Sequence, residues 1–280
     1  MRKGIKIEDK SPYWEFVLLY MDDALCISTD PKSVLEKEIR KYWTLKAGSL
    51  GPLSISLGNK VSKVTLENGI ATWSFSSLQY IQNAIKNVEI YLRKSNRKLP
   101  SYAPSPFKIG YRPEIDTSPV LCLNEASHYQ SMIGILRRVV ELGRIDITCE
   151  VSLMASMMAM PRKGHLDQLN HTFSYLKRKH NSEIVFDPTV PVIDVDQFPK
   201  YNWDHTPYKN SCENIPENAP EPRGFGFTML AFVDSDHAGD HITRRSRTGF
   251  LLSSTIRPFI GRRRSSQESK LHPSNQNLWH

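Results

Sequence analysis

Residues 16–27, with the sequence FVLLYMDDALCI, constrain the fold of this chain more than any other segment. Two short runs of apolar strand formers lie on either side of the polar sequence Met-Asp-Asp, a pattern that predicts a β-hairpin. A hairpin tip would bring the carboxylates of Asp22 and Asp23 close together, and like charges this close favour a bound divalent cation. The alternative is a solvated turn with two unpaired acids, since Asp is a favoured turn residue.

Cap and turn residues predict the elements that follow this hairpin. Asp30 is suited to the N-cap, and Pro31 to the first position, of a helix that ends near Trp43. Asn68-Gly69 separates two strand-like segments and fits a type I′ hairpin turn.

Helical and strand-like segments alternate with proline-rich segments in the rest of the chain. Ser76 and Gln79 predict a capping box that opens a helix through about Leu92. Further segments follow in chain order: a proline-rich linker at 99–119, helices within 124–160 and 163–179, a proline-rich tether at 188–222, and strands at 225–233 and 249–253.

The composition bounds the partners and the location of the protein. A formal net charge of +8 suits nucleic acid as a partner, although many basic proteins bind no polyanion. No run of apolar residues is long enough for a membrane span, and no signal peptide is evident. The four widely spaced cysteines indicate reduced thiols, so we expect an intracellular location.

Six blocks of sequence occur in the order found in one known family. The first is Tyr20-Met21-Asp22-Asp23 with its apolar flanks. The others are LGNKV at 57–61, SLQYI at 77–81, YQSMIGIL at 129–136, GRIDI at 143–147 and AFVDSDHAGD at 231–240. Together they resemble the C-terminal part of copia-type LTR retrotransposon Pol polyproteins, with their reverse transcriptase and ribonuclease H. Ile145 and His237 depart from the family's proline and tryptophan.

The resemblance implies an α+β fold: a reverse-transcriptase palm remnant with β-hairpins and helices, a helical connection and a partial ribonuclease-H-like sheet. The segments would be a palm and thumb fragment at 1–98, a helical connection region at 99–187, a proline-rich linker at 188–223, a truncated ribonuclease H at 224–254 and an out-of-frame, disordered tail at 255–280.

The resemblance also implies catalytic roles for five residues. Asp22 and Asp23 would be two of the three palm carboxylates that hold catalytic Mg²⁺. Tyr20 and Met21 would face the primer end and the incoming nucleotide. Asp234 would be the first metal-binding carboxylate of the ribonuclease H site, which uses two metals to cut the RNA strand of a hybrid.

Two departures from the family predict that these sites are incomplete. The family's third palm Asp lies well upstream of the hairpin, and Glu8 and Asp9 are on the wrong segment to replace it. From Arg257 onward, a shifted reading frame permits a translation that resembles the family's next strand and helix, which suggests a frameshift near residues 253–256. We therefore expect a poorly ordered tail at 257–280 and an unpaired strand edge at 249–253.

Three hypotheses about function remain open after these observations. The chain is an enzyme fragment with some activity, a non-enzymatic basic protein that binds nucleic acid, or a decayed element without selected activity. The incomplete sites favour the third hypothesis, a reverse transcriptase fragment that is inactive.

Overall fold

The computed structural model describes residues 2–5, 12–21, 23–46, 50–189, 230–253 and 258–266, together with residues 10, 48 and 207. The chain divides into two compact units, Met1–Val185 and Phe186–His280. In the described ranges, helices alternate with antiparallel sheets. None of the helices in these ranges has the length and apolar composition of a membrane span.

The first unit begins with a three-stranded antiparallel sheet in the order β1-β2-β3. Its strands are β1 (Arg2–Ile5), β2 (Pro12–Tyr20) and β3 (Asp23–Ile27). Phe16 pairs with Ile27, and Tyr20 pairs with Asp23 across the end of the hairpin. The hairpin predicted from the two apolar runs is therefore confirmed.

A helical stretch follows the hairpin. It consists of α1 (Pro31–Ser33), a π-helical turn (Val34–Glu38) and a 3₁₀ turn (Ile39–Lys41). The backbone N–H of Ser33 donates to Asp30 Oδ1 at 3.1 Å, so Asp30 is the N-cap as predicted. The regular part ends at Lys41, two residues before the predicted end at Trp43.

A four-stranded sheet in the order β4-β5-β6-β7 follows in the same unit. Its strands are β4 (Ile55–Ser56), β5 (Asn59–Thr65), β6 (Ala71–Ser76) and β7 (Glu183–Phe186). The predicted β5–β6 hairpin is confirmed, but its predicted type I′ turn is wrong. Gly69 has a φ of 81°, whereas Asn68 lacks the positive φ that a type I′ turn also requires. Leu66 N donates to Ile70 O at 2.9 Å, which leaves a three-residue loop with its glycine in the left-handed region.

Four helices pack around one hydrophobic core: α2 (Leu78–Arg93), α3 (Leu123–Glu141), α4 (Thr148–Ala155) and α5 (Lys163–Arg178). The start of α2 differs from the prediction, because Ser77 is its N-cap residue and makes no side-chain capping bond. Gln79 instead donates to Asn83. Fully buried side chains of the core are Ile81, Tyr129, Met132, Ile133, Leu136, Met154, Leu169 and Phe173.

This core joins segments on both sides of residue 98, where the sequence predicts a boundary. Each buried aliphatic or aromatic side chain contributes about 1.5–3 kcal/mol to folding. Ile81 of α2 and Phe173 of α5 belong to the same cluster of buried residues. Separating residues 1–98 from 99–187 would therefore expose the apolar face of α2.

Residues 99–119 are held against α5, which differs from the free linker expected from their five prolines. Three α5 side chains bind proline carbonyl oxygens of this segment: Ser174 Oγ to Pro100 at 2.9 Å, Thr172 Oγ1 to Pro106 at 2.9 Å and His165 Nε2 to Pro113 at 2.9 Å. We call residues 99–119 the proline strap. The prolines predicted a linker, and long-range hydrogen bonds to α5 fix the path of this segment.

The second unit contains an antiparallel sheet in the order β10-β9-β8. Its strands are β8 (Leu230–Ser235), β9 (Ser246–Ser253) and β10 (Pro258–Ser266). The expectation of an unpaired edge at 249–253 is wrong, because β10 pairs along β9. The expected disorder is wrong for residues 258–266 as well. Without β10, the edge of β9 would present a row of unpaired backbone N–H and C=O groups. The backbone of β10 pairs with these groups, and such pairing does not depend on the side chains of β10.

Some expectations fall outside the described residues. Residues 190–206 and 208–229 contain most of the predicted proline-rich linker and the first part of the predicted strand at 225–233. Residues 267–280 contain most of the segment for which a frameshift is suggested, and that frameshift stays a prediction.

Candidate functional site

The end of the β2–β3 hairpin brings together three of the residues that the sequence singled out. Tyr20 is the last residue of β2, and it pairs with Asp23, the first residue of β3. Met21 lies in the connecting turn with 92% of its surface exposed. Asp22 lies outside the described residues.

The backbone of Met21 adopts a left-handed conformation with a φ of 52°. This conformation costs a residue with a Cβ about 1–2 kcal/mol. Two-residue hairpin loops need a positive φ at their first central residue and usually place Gly or Asn there. A methionine held in this region is therefore strained, and strain of this kind clusters at functional sites.

The face of the hairpin that carries Asp23 is also apolar and exposed. Directly paired residues of antiparallel strands project from the same face, so Tyr20 and Asp23 share a face with Leu18 and Leu25. Leu18 is 64% exposed and Tyr20 is 54% exposed. A carboxylate beside an exposed apolar surface has the chemistry of a binding site for a ligand that is both charged and partly apolar.

The donor chemistry of this tip fits Mg²⁺, which prefers carboxylate oxygens and retains several waters. Asp23 is exposed and can reach a hydrated cation, and Asp22 would add a second carboxylate from the adjacent position. Among the described residues, no group of three or more His, Cys, Asp or Glu side chains is placed to hold a metal ion. Binding of Mg²⁺ at Asp22, Asp23 and Asp234 therefore stays a prediction.

A hydrogen-bond network at the base of the hairpin was not anticipated from the sequence. Glu15 is 8% exposed, and its Oε1 accepts from Tyr13 Oη at 2.6 Å and from Ser28 Oγ at 2.6 Å. Tyr13 also lies 2.8 Å from Thr29 Oγ1. Tyr13 and Glu15 alternate with apolar residues along β2, and this alternation was the available signal. The network ties the two strands together where the chain leaves for α1.

The block at 143–147 contains a buried ion pair between Arg144 and Asp146. We call this pair, with its contacts to Tyr175 and Lys179, the clasp. Arg144 is 3% exposed, and its Nε and Nη2 donate to the two carboxylate oxygens of Asp146 at 2.8 Å each. Arg144 Nη1 donates to Lys179 O at 2.9 Å, and Tyr175 Oη donates to Asp146 at 3.0 Å. Burial by itself would raise the pKa of Asp146, but the hydrogen bonds and charge of Arg144 outweigh it and lower that pKa. The clasp fixes the turn between α3 and α4 to the end of α5.

Asp234, the predicted ribonuclease H carboxylate, lies in the second unit, on β8 opposite Gly249. Its side chain is exposed. Two neighbouring acids have structural tasks: Asp236 accepts a backbone hydrogen bond from Arg247, and Asp240 accepts from the backbone N–H of Thr243 at 2.7 Å. Burial opposes ionisation of Asp240, but the hydrogen bonds from Thr243 outweigh it and lower its pKa. Both acids therefore fix the β8–β9 connection.

Comparison with known proteins gives a distant match to a transposon Ty5-1 protein of Saccharomyces cerevisiae, 27% identical over 168 residues. The match covers 58% of this chain and 48% of that protein, so the chain spans about half the length of the curated relative. No protein-family model matches the chain. No solved structure matches it either. The chain is thus similar in sequence to a protein of a transposable element.

Proposed function

We propose that this chain is a fragment of a retrotransposon reverse transcriptase and that these 280 residues alone do not synthesise DNA. The observation that carries the proposal is the β2–β3 hairpin, whose tip holds Tyr20, Met21 and Asp23 beside Asp22. The distant similarity to a transposon protein supports the same lineage.

The roles at the tip are those that the resemblance implies, and the chemistry of its side chains suits them. Asp22 and Asp23 would hold magnesium, which supplies positive charge for in-line phosphoryl transfer when it is bound. Tyr20 lies on the same face as Asp23 and would contact the end of the primer. Met21, exposed at the turn, would pack against the incoming nucleotide.

The proposed lack of polymerase activity rests on the carboxylates that the described residues bring to the hairpin tip. The described acid just before the hairpin tip is Glu15, and it is buried and accepts hydrogen bonds from Tyr13 and Ser28. A carboxylate with these bonds at the base of the hairpin is not free to bind a metal at the tip. Positioning of the reacting groups provides much of the catalysis in phosphoryl transfer, so a pair of carboxylates at the tip would not suffice by itself.

Primer extension on an RNA template, in magnesium and separately in manganese, tests this proposal. We expect no template-dependent product from the 280-residue polypeptide. Extension that disappears in Asp23→Asn, but persists in the exposed loop variant Glu67→Gln, would overturn the proposed inactivity. The same result would support the assignment of the hairpin tip.

The second unit is proposed to be a ribonuclease H remnant in which Asp234 is a metal-binding carboxylate. Its exposed position on β8 supports this proposal. An RNA–DNA hybrid with a labelled RNA strand should remain intact in magnesium. Cleavage that is lost in Asp234→Asn would show that the unit retains a working site.

A second candidate function is non-enzymatic binding of nucleic acid, and the net charge of +8 favours it. Binding by this charge would be independent of base sequence and would weaken steeply with salt, since it rests on counterion release. Titration with oligonucleotides of different sequence between about 50 and 200 mM salt tests this. Affinity that does not change with salt would argue against it.

A further inference from the structure

A basic cavity of about 480 Å³ lies between the C-terminal ends of α2 and α5 and the beginning of the proline strap. Its charged lining residues are Glu89, Arg93, Arg97, Lys98, Lys177 and Arg178. Ser101 adds a hydroxyl group to the same wall, whereas the Ser174 hydroxyl already donates to Pro100 O. The cavity thus combines positive charge with hydrogen-bond donors, which is the chemistry that a phosphate group requires.

Three of these cations already have partners, and those contacts fix the rim of the cavity. Lys177 Nζ lies 2.6 Å from Glu89 Oε1, which links α5 to α2. Arg97 Nη2 lies 2.5 Å from Asp167 Oδ1. The guanidinium of Arg178 lies over the ring of Tyr102 at 5.1 Å from its centroid.

Basic residues at helix C-termini often only neutralise the negative end of the helix dipole. At the end of α2 this explanation is weakened, because backbone N–H groups already bind the last carbonyls. Leu92 O accepts from Arg97 N at 2.9 Å, and Arg93 O accepts from Asn96 N at 3.0 Å. Asn96 makes this possible with a φ of 54°. The side chain of Arg93 is therefore not needed to cap the helix.

The cavity keeps a net positive charge after its ion pairs and the helix ends are counted. Glu89 and Asp167 offset two of the five cations, and the two helix ends contribute roughly half a negative charge each. About two positive charges are left over. Among the described residues, neither Arg93 nor Lys98 has an acidic partner, and both are exposed.

We propose that this cavity binds the phosphate groups of a nucleic acid strand, with Arg93 and Lys98 as the groups that contact phosphate. Tyr102 supports a nucleic acid as the source of the phosphate. Tyr102 is 66% exposed and follows Ser101 of the cavity lining. Arg178 lies over one face of its ring, and the other face can stack against a base, which a free phosphate ion does not offer. The inference rests on the second candidate function, and it shares no residue with the hairpin tip.

Fluorescence anisotropy with a labelled oligothymidylate tests the site in the full chain. The test pair is Arg93→Gln with Lys98→Gln, which keeps polar side chains at both positions and removes both charges. The control pair is Lys86→Gln with Arg137→Gln, which removes the same charge from exposed positions on α2 and α3 outside the cavity. Circular dichroism should show that both pairs are folded.

We expect weaker binding by the test pair and a shallower dependence of affinity on salt. Each lost phosphate contact reduces the slope of log K against log salt by about 0.7 for a single strand, so the slope should fall by about 1.4. The control pair should leave the slope nearly unchanged. Equal slopes for both pairs, with the wild-type chain still binding, would overturn the site but not the binding function. A wild-type chain that binds no oligonucleotide would overturn both.

Tripolyphosphate distinguishes the two sources of phosphate. If nucleic acid is the ligand, Tyr102→Leu should weaken binding of the oligonucleotide and leave competition by tripolyphosphate unchanged. Saturable binding of tripolyphosphate that is lost in the test pair, without any effect of that pair on the oligonucleotide, would overturn nucleic acid as the ligand.

Discussion

Replacing Arg144 by methionine removes the donors of the clasp and keeps much of the apolar stem. The wild-type guanidinium is 3% exposed and donates two hydrogen bonds of 2.8 Å to Asp146 and one of 2.9 Å to Lys179 O. In the variant, Tyr175 would remain as a side-chain donor to Asp146. The variant therefore leaves a carboxylate with most of its compensating charge removed.

The expected loss of stability follows from the burial of the pair. Removing one partner of a buried ion pair costs about 3–5 kcal/mol. Asp146 is 36% exposed, so water can solvate part of the uncompensated charge and the lower end, about 3 kcal/mol, applies. For a unit of this size, each kcal/mol lowers the melting temperature by about 2–4 °C, which predicts a fall of roughly 6–12 °C.

Urea unfolding followed by circular dichroism measures the change. The control is Arg137→Met on the exposed face of α3, which should cost no more than about 0.5 kcal/mol. A loss below about 1 kcal/mol for Arg144→Met, the range typical of exposed ion pairs, would refute the assignment of a buried clasp.

The same pair predicts a pH dependence. The folded-state pKa of Asp146 is lowered, because the hydrogen bonds and charge of Arg144 outweigh burial, which acts in the opposite direction. A carboxyl with a lowered folded-state pKa contributes stability above its unfolded pKa, about 4, and loses it as the pH falls through the folded value. The difference in unfolding free energy between wild type and Arg144→Met should therefore shrink on acidification. A difference that is the same at neutral pH and at about pH 2 would contradict this reasoning.

Three further substitutions or deletions test other contacts. In Gly164→Ala, the added Cβ would collide with the carboxylate of Asp116, which Ser118 N and Tyr111 Oη hold in place. Urea unfolding should show a free energy of unfolding lower by about 1–3 kcal/mol, and an increase would contradict this packing. Thr172→Val removes a donor to Pro106 O and should lower the free energy of unfolding by about 1 kcal/mol in the same assay. No change would show that the hydrogen bond from Gln168 is enough to satisfy this carbonyl. Deleting residues 258–280 should accelerate hydrogen exchange of the β9 amides that face β10; unchanged protection would contradict the pairing.

Local patterns predicted the elements whose structure depends on neighbouring residues. The two apolar runs at 16–27 gave the β2–β3 hairpin, and Asp30 before Pro31 gave the start of the first helix. Met21 lies in the turn between the two strands for the same reason, because a turn between two paired strands has few alternatives. The roles of Tyr20 and Met21 toward a primer and a nucleotide stay predictions.

Features that depend on distant partners could not be predicted in this way. The β5–β6 turn type is set by the pairing of Leu66 with Ile70, which leaves three residues in the loop and excludes the type I′ geometry. The Glu15 network depends on Ser28, which is brought near only by the hairpin. Pairing of β10 depends on the backbone edge of β9, which no pattern in the tail itself reveals.

The chemistry of the proline strap makes it intolerant of change. A proline offers a carbonyl acceptor and has no N–H of its own, so Pro100, Pro106 and Pro113 present acceptors to α5 without adding donors that would need partners. Exchanging a buried one, such as Pro113, for another residue would introduce an N–H group in a place where α5 already supplies the donors. Insertions would shift the spacing of the carbonyls relative to the turns of the helix. A segment with the composition of a flexible tether is therefore expected to tolerate fewer substitutions than the exposed faces of the helices it crosses.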